Sequence, residues 1–256
     1  MPTEPRPAAI QGGPGEHDGI TYNDDGSITL SLYAPGKEFV YAIGDFSDWE
    51  IDADYFMKRD GDHWWITLPA SDFTAGEEYD FQYLVDGTIR VADPFAHKVR
   101  SPQDDGISDA VYPDLQPYPH DKTENLVSVL RPGAQAPADT VQFEPPPRED
   151  LVIYELLVRD FVERSSYEVL ADTLGYLERL GVNAVEVMPV ANFGGNNSWG
   201  YNPNAHLALD KAYGTPAGFR EFVREAHRRD MAVLMDVVYN HVTDQSPLVQ
   251  VYGATP

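Results

Sequence analysis

The chain has 256 residues, 42% of them apolar, which is enough to bury a core and excludes global disorder. It contains no cysteine, so disulfide frameworks, thiolate metal sites and cysteine nucleophiles are excluded. With 18 basic against 42 acidic residues the net charge is −24; such a field repels nucleic acid and anionic membranes and leaves a neutral ligand indifferent.

Residues 1–18 are rich in Pro and Gly and lack periodicity, so a disordered leader is expected there. They show no basic start followed by an apolar core, and no apolar run in the chain is long enough to span a bilayer, which points to a cytoplasmic location. Residues 19–112 carry short strands between turn signals: an alternating run at Ser27–Tyr33, then Phe39–Ile43, His63–Leu68 and Tyr79–Val85, the last followed by an Asp86-Gly87 turn. Strands at this spacing predict a β-sandwich of the immunoglobulin-like kind. Residues 113–150 hold eight prolines and read as a stiff linker with one short strand near Leu126–Leu130.

From Leu151 to Pro256 the texture changes to strand, helix, strand, helix, strand. Leu151–Val158 is the first strand. Ser165 with Glu168 three residues on has the form of a capping box, Leu170, Leu174 and Leu177 line one helix face, and Gly181 stops it. Val182–Val190 is the second strand, and a Gly/Asn-rich excursion from Ala191 to Gly214 follows. Thr215 caps the next helix with Pro216 at its first position, and Phe219, Phe222, Val223 and Ala226 form its apolar stripe. Met231–Val238 is the third strand. The order predicts a parallel α/β architecture, and no Gly-x-Gly-x-x-Gly follows a strand, which speaks against dinucleotide binding.

Asp236-Val-Val-Tyr-Asn-His241 stands where the third strand ends, and Ser198-Trp-Gly-Tyr-Asn-Pro203 with Ala212-Tyr-Gly-Thr215 stands after the second. These blocks resemble glycoside hydrolase family 13, the α-amylase superfamily, over residues 150–245. Gly44-Asp-Phe-Ser-Asp-Trp49, Trp64-Trp65, Tyr83-Leu-Val-Asp-Gly87 and Asp93-Pro-Phe95 resemble a family 48 carbohydrate-binding module. The resemblance implies a multidomain chain: a binding-module sandwich followed by strands one to three of a (β/α)₈ barrel, truncated after the third. It implies an enzyme, a glycosidase acting on an α-glucan such as starch, glycogen, pullulan or a maltooligosaccharide. The alternatives are a non-catalytic glucan-binding or scaffold protein, or a branching-type transglycosylase in a full-length form.

Retaining glycosidases use two carboxyl groups about 5 Å apart. The resemblance places the nucleophile and the acid/base beyond Pro256, so no residue of the chain is expected to fill either role, and the chain alone is expected to be inactive. Tyr201 matches a tyrosine that stacks on the sugar, His241 a histidine that hydrogen-bonds it, and Asp236 a supporting carboxylate that orients the groups touching the sugar. Plain packing or strand-end capping is the alternative for each. Asn240 matches an amide that in many members gives an oxygen to a structural calcium, an ion that debranching-type members often lack; no cofactor is required. In the module, Trp49 matches a stacking platform, whereas the positions of a second platform and of a binding lysine are held by Ile89 and Gln82. Trp64 and Trp65, adjacent in a strand, should face opposite sides.

Overall fold

The computed structural model describes residues 18–133 and 141–253; the expected leader, apart from Asp18, lies outside the described residues. The chain divides into two units. One takes the described residues of Met1–Pro102, Tyr118–Ala136 and Thr243–Pro256, the other those of Gln103–Pro117 and Pro137–Val242.

The first unit is built from β1 (Gly19–Tyr22), β2 (Ile28–Tyr33), β3 (Val40–Gly44), β4 (Lys58–Asp60), β5 (His63–Leu68), β6 (Tyr79–Val85), β7 (Ile89–Val91), β8 (Val99–Arg100) and β9 (Val127–Leu130). They form two antiparallel sheets, one in the order β1-β2-β5-β4, the other β3-β6-β9-β8 with β7 also paired to β6. Alternation decides which side chains go inside. Ile28, Leu30 and Leu32 of β2 and Trp64, Ile66 and Leu68 of β5 join Phe81, Tyr83 and Val85 of β6 in one core. Each such side chain contributes about 1.5–3 kcal/mol by leaving water. Trp65, next to the buried Trp64, faces the other way under the ammonium of Lys58, 4.4 Å from the ring centre.

The stretch read as a single linker does not stay outside the folds. β9 pairs with β6, Tyr79 opposite Leu130 and Phe81 opposite Ser128. Without it, that edge of β6 would present unpaired N–H and C=O groups. The far face of this sheet is polar yet buried. Arg100 lies against Glu78 and Asp80, and the Gln82 amide donates to the carbonyls of Glu124 and Leu126, both at 2.7 Å.

The second unit contains β10 (Ile153–Leu156), α1 (Val158–Phe161), α2 (Tyr167–Arg179), β11 (Ala184–Val187), β12 (Ala191–Phe193), β13 (Pro203–Leu209), α3 (Pro216–His227) and β14 (Ala232–Met235). The parallel sheet runs β10-β11-β14. Leu156, Val185 and Val187 turn toward Leu170, Leu174 and Leu177 of α2 and Phe222 and Ala226 of α3. Glu155 and Glu186, in register on neighbouring strands, take the opposite face.

Local signals set the helix ends. The cap of α2 is Ser166, not Ser165: Ser166 is the residue with extended backbone, and its hydroxyl accepts from Val169 N–H. Gly181, at φ +81°, ends the helix as expected. Thr215 caps α3 by accepting from Gly218 N–H at 3.0 Å. β14 is shorter than the run Met231–Val238, because its ladder with β11 stops at the Val187–Met235 pair. A last helix, α4 (Pro247–Tyr252), belongs to the first unit. Its Val251 enters the sandwich core, and the Tyr252 hydroxyl donates to the Tyr33 carbonyl at 2.6 Å. Among the described residues no helix is long and apolar enough to cross a membrane.

Candidate functional site

The site forms at the carboxyl ends of the parallel strands, the end at which (β/α)₈ enzymes place their chemistry. The Asp236 N–H donates to the Val187 carbonyl at 3.0 Å. That bond carries the β11–β14 contact one residue past β14 and fixes where the carboxylate emerges.

Tyr201 arrives from the loop between β12 and β13. Gly194 N–H donates to the Asn202 carbonyl at 3.2 Å, and the Asn202 amide returns a bond to the Gly194 carbonyl at 3.3 Å. Ser198 accepts from Gly200 N–H at 3.0 Å, and its carbonyl accepts from the Tyr213 hydroxyl at 3.3 Å. Gly200 has φ +90°, and a Cβ there would lie 2.3 Å from the Pro189 carbonyl oxygen. Only glycine allows this close seat.

Three residues predicted from two separate motifs meet here. The Tyr201 hydroxyl donates to Asp236 Oδ2 at 2.6 Å. His241 Nε2 lies 2.6 Å from the Tyr201 carbonyl oxygen, so the tautomer protonated at Nε2 is the one that donates there. The phenol is held well above its ordinary range, at about 12, first by its bond to Asp236, then by burial and by the negative charges of Asp236, Glu155 and Glu186. At neutral pH it is therefore a proton donor. Tyr201 is 37% exposed, Asp236 is half-buried and His241 is exposed, so an aromatic face, a carboxylate and an imidazole edge are presented together at the surface. An aromatic face suits the C–H face of a pyranose, and the polar groups suit its hydroxyls.

Asn240 is exposed, and among the described residues no three His, Asp or Glu side chains converge where a metal could sit. Calcium takes six to eight oxygen ligands, of which Asn240 can supply one.

Trp49 requires a correction. Its ring is 5% exposed, packs with Tyr118 and Val127, and donates from its indole N–H to Asp45 Oδ1 at 2.9 Å. No face is left for a sugar, because the chain leading into β9 covers it. The same chain engages Gln82, so that position too is part of the fold.

Sequence reasoning missed Asp210. It is 2% exposed, and its carboxylate accepts from Asn192 Nδ2 and Phe193 N–H, both at 3.1 Å, and from Ala212 N–H at 2.8 Å. Burial raises its pKa to about 6 against the lowering effect of Lys211 and the two backbone N–H groups. Lys211 in turn pairs with Asp104 at 3.1 Å, both side chains buried. The one sequence sign was an acid two residues before the Ala212–Thr215 block.

The alpha amylase catalytic-domain family matches residues 167–251, and carbohydrate-binding module 48, the isoamylase N-terminal domain, matches residues 19–96. A malto-oligosyltrehalose trehalohydrolase of Saccharolobus solfataricus is 34% identical over 220 residues, 86% of this chain and 34% of that protein. A 1,4-alpha-glucan branching enzyme of Mesorhizobium japonicum is 29% identical over 239 residues, 88% of this chain and 29% of that one. Among solved structures, the catalytic module of the pneumococcal glycogen-degrading virulence factor SpuA superimposes with a TM-score of 0.72 at 23% identity, covering 93% of this chain and 39% of that one; at this identity the likeness shows the fold. The chain spans about a third of the length of the relatives it matches.

Proposed function

We propose that this chain, which belongs to the alpha-amylase superfamily and joins a module-48 sandwich to strands of the catalytic domain, is part of an enzyme acting on α-glucans. The observation that carries the reading is the meeting of Tyr201, Asp236 and His241 at the strand ends. Tyr201 supplies the stacking face. Asp236 holds the phenol in place and stays available to accept from a sugar hydroxyl. His241, anchored through one ring nitrogen to the Tyr201 backbone, offers the other to the ligand. A neutral sugar approaches this strongly acidic chain without electrostatic penalty.

Under this reading these residues grip the sugar and carry no bond-breaking step. The nucleophile and the acid/base of a retaining mechanism are assigned to none of them. Hydrolysis and branching differ in whether water or a second sugar reaches the glycosyl intermediate, and both use the same grip on the donor sugar. The substrate class is a maltooligosaccharide or a polymer of which it is a segment. The sandwich is assigned no sugar contact through Trp49, since that ring is covered by its own chain.

The test is calorimetric titration of the chain with maltoheptaose. Tyr201→Ala and His241→Ala should each weaken binding by about tenfold or more, in keeping with the loss of a stacked ring or a buried hydrogen bond. Equal binding by wild type and both variants would remove the site from the reading. Titration with ATP or NAD as sole binders would move the protein to another class.

A further inference from the structure

We propose that Asp210 is a positioning residue: its buried carboxylate fixes the two legs of the β12–β13 hairpin and thereby sets the place from which Tyr201 reaches Asp236 and His241. The inference deepens the sugar-site reading and rests on it for its functional consequence, though not for its geometry.

The hairpin cannot hold itself in register by backbone pairing alone. Between Ala191 and Asn192 the partner on β13 jumps from Leu209 to Ala205, and between Asn192 and Phe193 it shifts again, to Pro203. An irregular ladder leaves N–H groups without strand partners, and a proline opposite Phe193 has no N–H to give in return. Asp210 takes up the loss. One carboxylate oxygen accepts from the Phe193 N–H and from the Asn192 side chain, on the first leg. The other accepts from Ala212 N–H, just beyond the second. The Asp210 N–H donates to the Val190 carbonyl at 2.8 Å, so both backbone and side chain of one residue tie the hairpin's exit to its entrance.

Asn192, 3% exposed, and Asp210, 2% exposed, form a dry polar joint, where an unmet donor is costly. One residue past Phe193, Gly194 opens the loop that ends at Asn202. Displacing Phe193 therefore displaces the loop base. The 2.6 Å bonds of Tyr201 have little slack, and a shift of about 1 Å brings them to the limit of hydrogen-bond distance. The side-chain bonds of Asp210 go to Asn192, Phe193 and Ala212, so its carboxylate acts on Tyr201 through the hairpin.

The test reads the Tyr201 ring carbon that bears the hydroxyl, by NMR of the whole chain labelled on tyrosine. Tyr201→Phe assigns the signal, and Asp236→Ala, which removes the acceptor directly, calibrates it. In Asp210→Ala the signal should move at least half of the way to its Asp236→Ala position; in Asp210→Asn, which keeps one acceptor oxygen, it should move less. Thr215→Ala, which removes the cap of α3, should lower the melting temperature and leave the Tyr201 signal in place. Maltoheptaose binding should weaken about tenfold in Asp210→Ala, the scale on which misplaced groups cost function. An unmoved Tyr201 signal in Asp210→Ala, or in Asp210→Asn where the alanine variant does not fold, overturns the proposal. So does an equal displacement in Thr215→Ala. If wild type binds no maltooligosaccharide while the Tyr201 signal follows Asp210, the positioning role stands and the sugar reading falls.

Discussion

Replacing Gly200 by Ala should damage the candidate site far more than the fold. The added Cβ would lie 2.3 Å from the Pro189 carbonyl oxygen and 2.8 Å from the Pro189 side chain. Ordinary contact begins near 3.4 Å, so the loop has to lift by about 1 Å. The positive φ adds about 1–2 kcal/mol of strain for any residue with a Cβ. Tyr201 is the next residue, and both of its bonds, to Asp236 and from His241, are 2.6 Å long. A 1 Å lift takes them to the edge of bonding. The loop is a short surface segment, so the melting temperature of the chain should fall by only a few degrees for a cost of this size. Maltoheptaose binding should fall about tenfold or more, since the placement of two groups is lost at once. Calorimetric titration and a thermal melt on the same preparation separate the two effects. Wild-type affinity in a well-folded Gly200→Ala chain would refute the claim that loop height controls the site. A collapse of the whole fold would refute the claim that the loop is peripheral to stability.

Three further outcomes are expected. Trp49→Ala should cost about 3–5 kcal/mol of stability, as emptied aromatic sites do, while retention on a glycogen affinity gel by the fold-preserving Trp49→Phe stays at the wild-type level; loss of retention in that variant would restore Trp49 as a sugar contact. Burial raises Asp93 to about 6, opposed by its bonds from the Tyr83 hydroxyl and Phe95 N–H, so the folded state holds its proton more tightly than the unfolded state does. That stabilisation is full below about pH 4 and is lost as pH rises through 6, a change on the order of 3 kcal/mol; melting curves of wild type and Asp93→Asn across this window should diverge, and parallel curves would remove Asp93 as the source. Finally, the purified chain should release no reducing sugar from starch, glycogen or pullulan, because no nucleophile or acid/base is assigned within it; release that survives repurification and disappears in Asp236→Ala would overturn that assignment.

What the sequence by itself determined were features written in local order. The period-2 runs of β2, β5 and β6, the Thr215-Pro216 cap and the Gly181 stop follow from backbone chemistry within a few residues, and the structure repeats them with shifts of a residue or two. The identity of Tyr201, Asp236 and His241 as site candidates was also legible, because each sits in a short block after a recognisable strand. Tertiary structure alone decided what joins across distance. That Tyr201 bonds to Asp236, 35 positions away, depends on how an irregular hairpin returns over the strand ends. That Val127–Leu130 closes a sheet, and that the chain before it buries Trp49, depends on β6 offering an edge, which a Pro-rich stretch does not announce. Asp210 reads in sequence as one acid among 42 acidic residues; only the shifted register at Asn192 and Phe193 gives its carboxylate something to hold. Hydrogen-bond demand is created by the fold, and the residue that meets it carries no local mark.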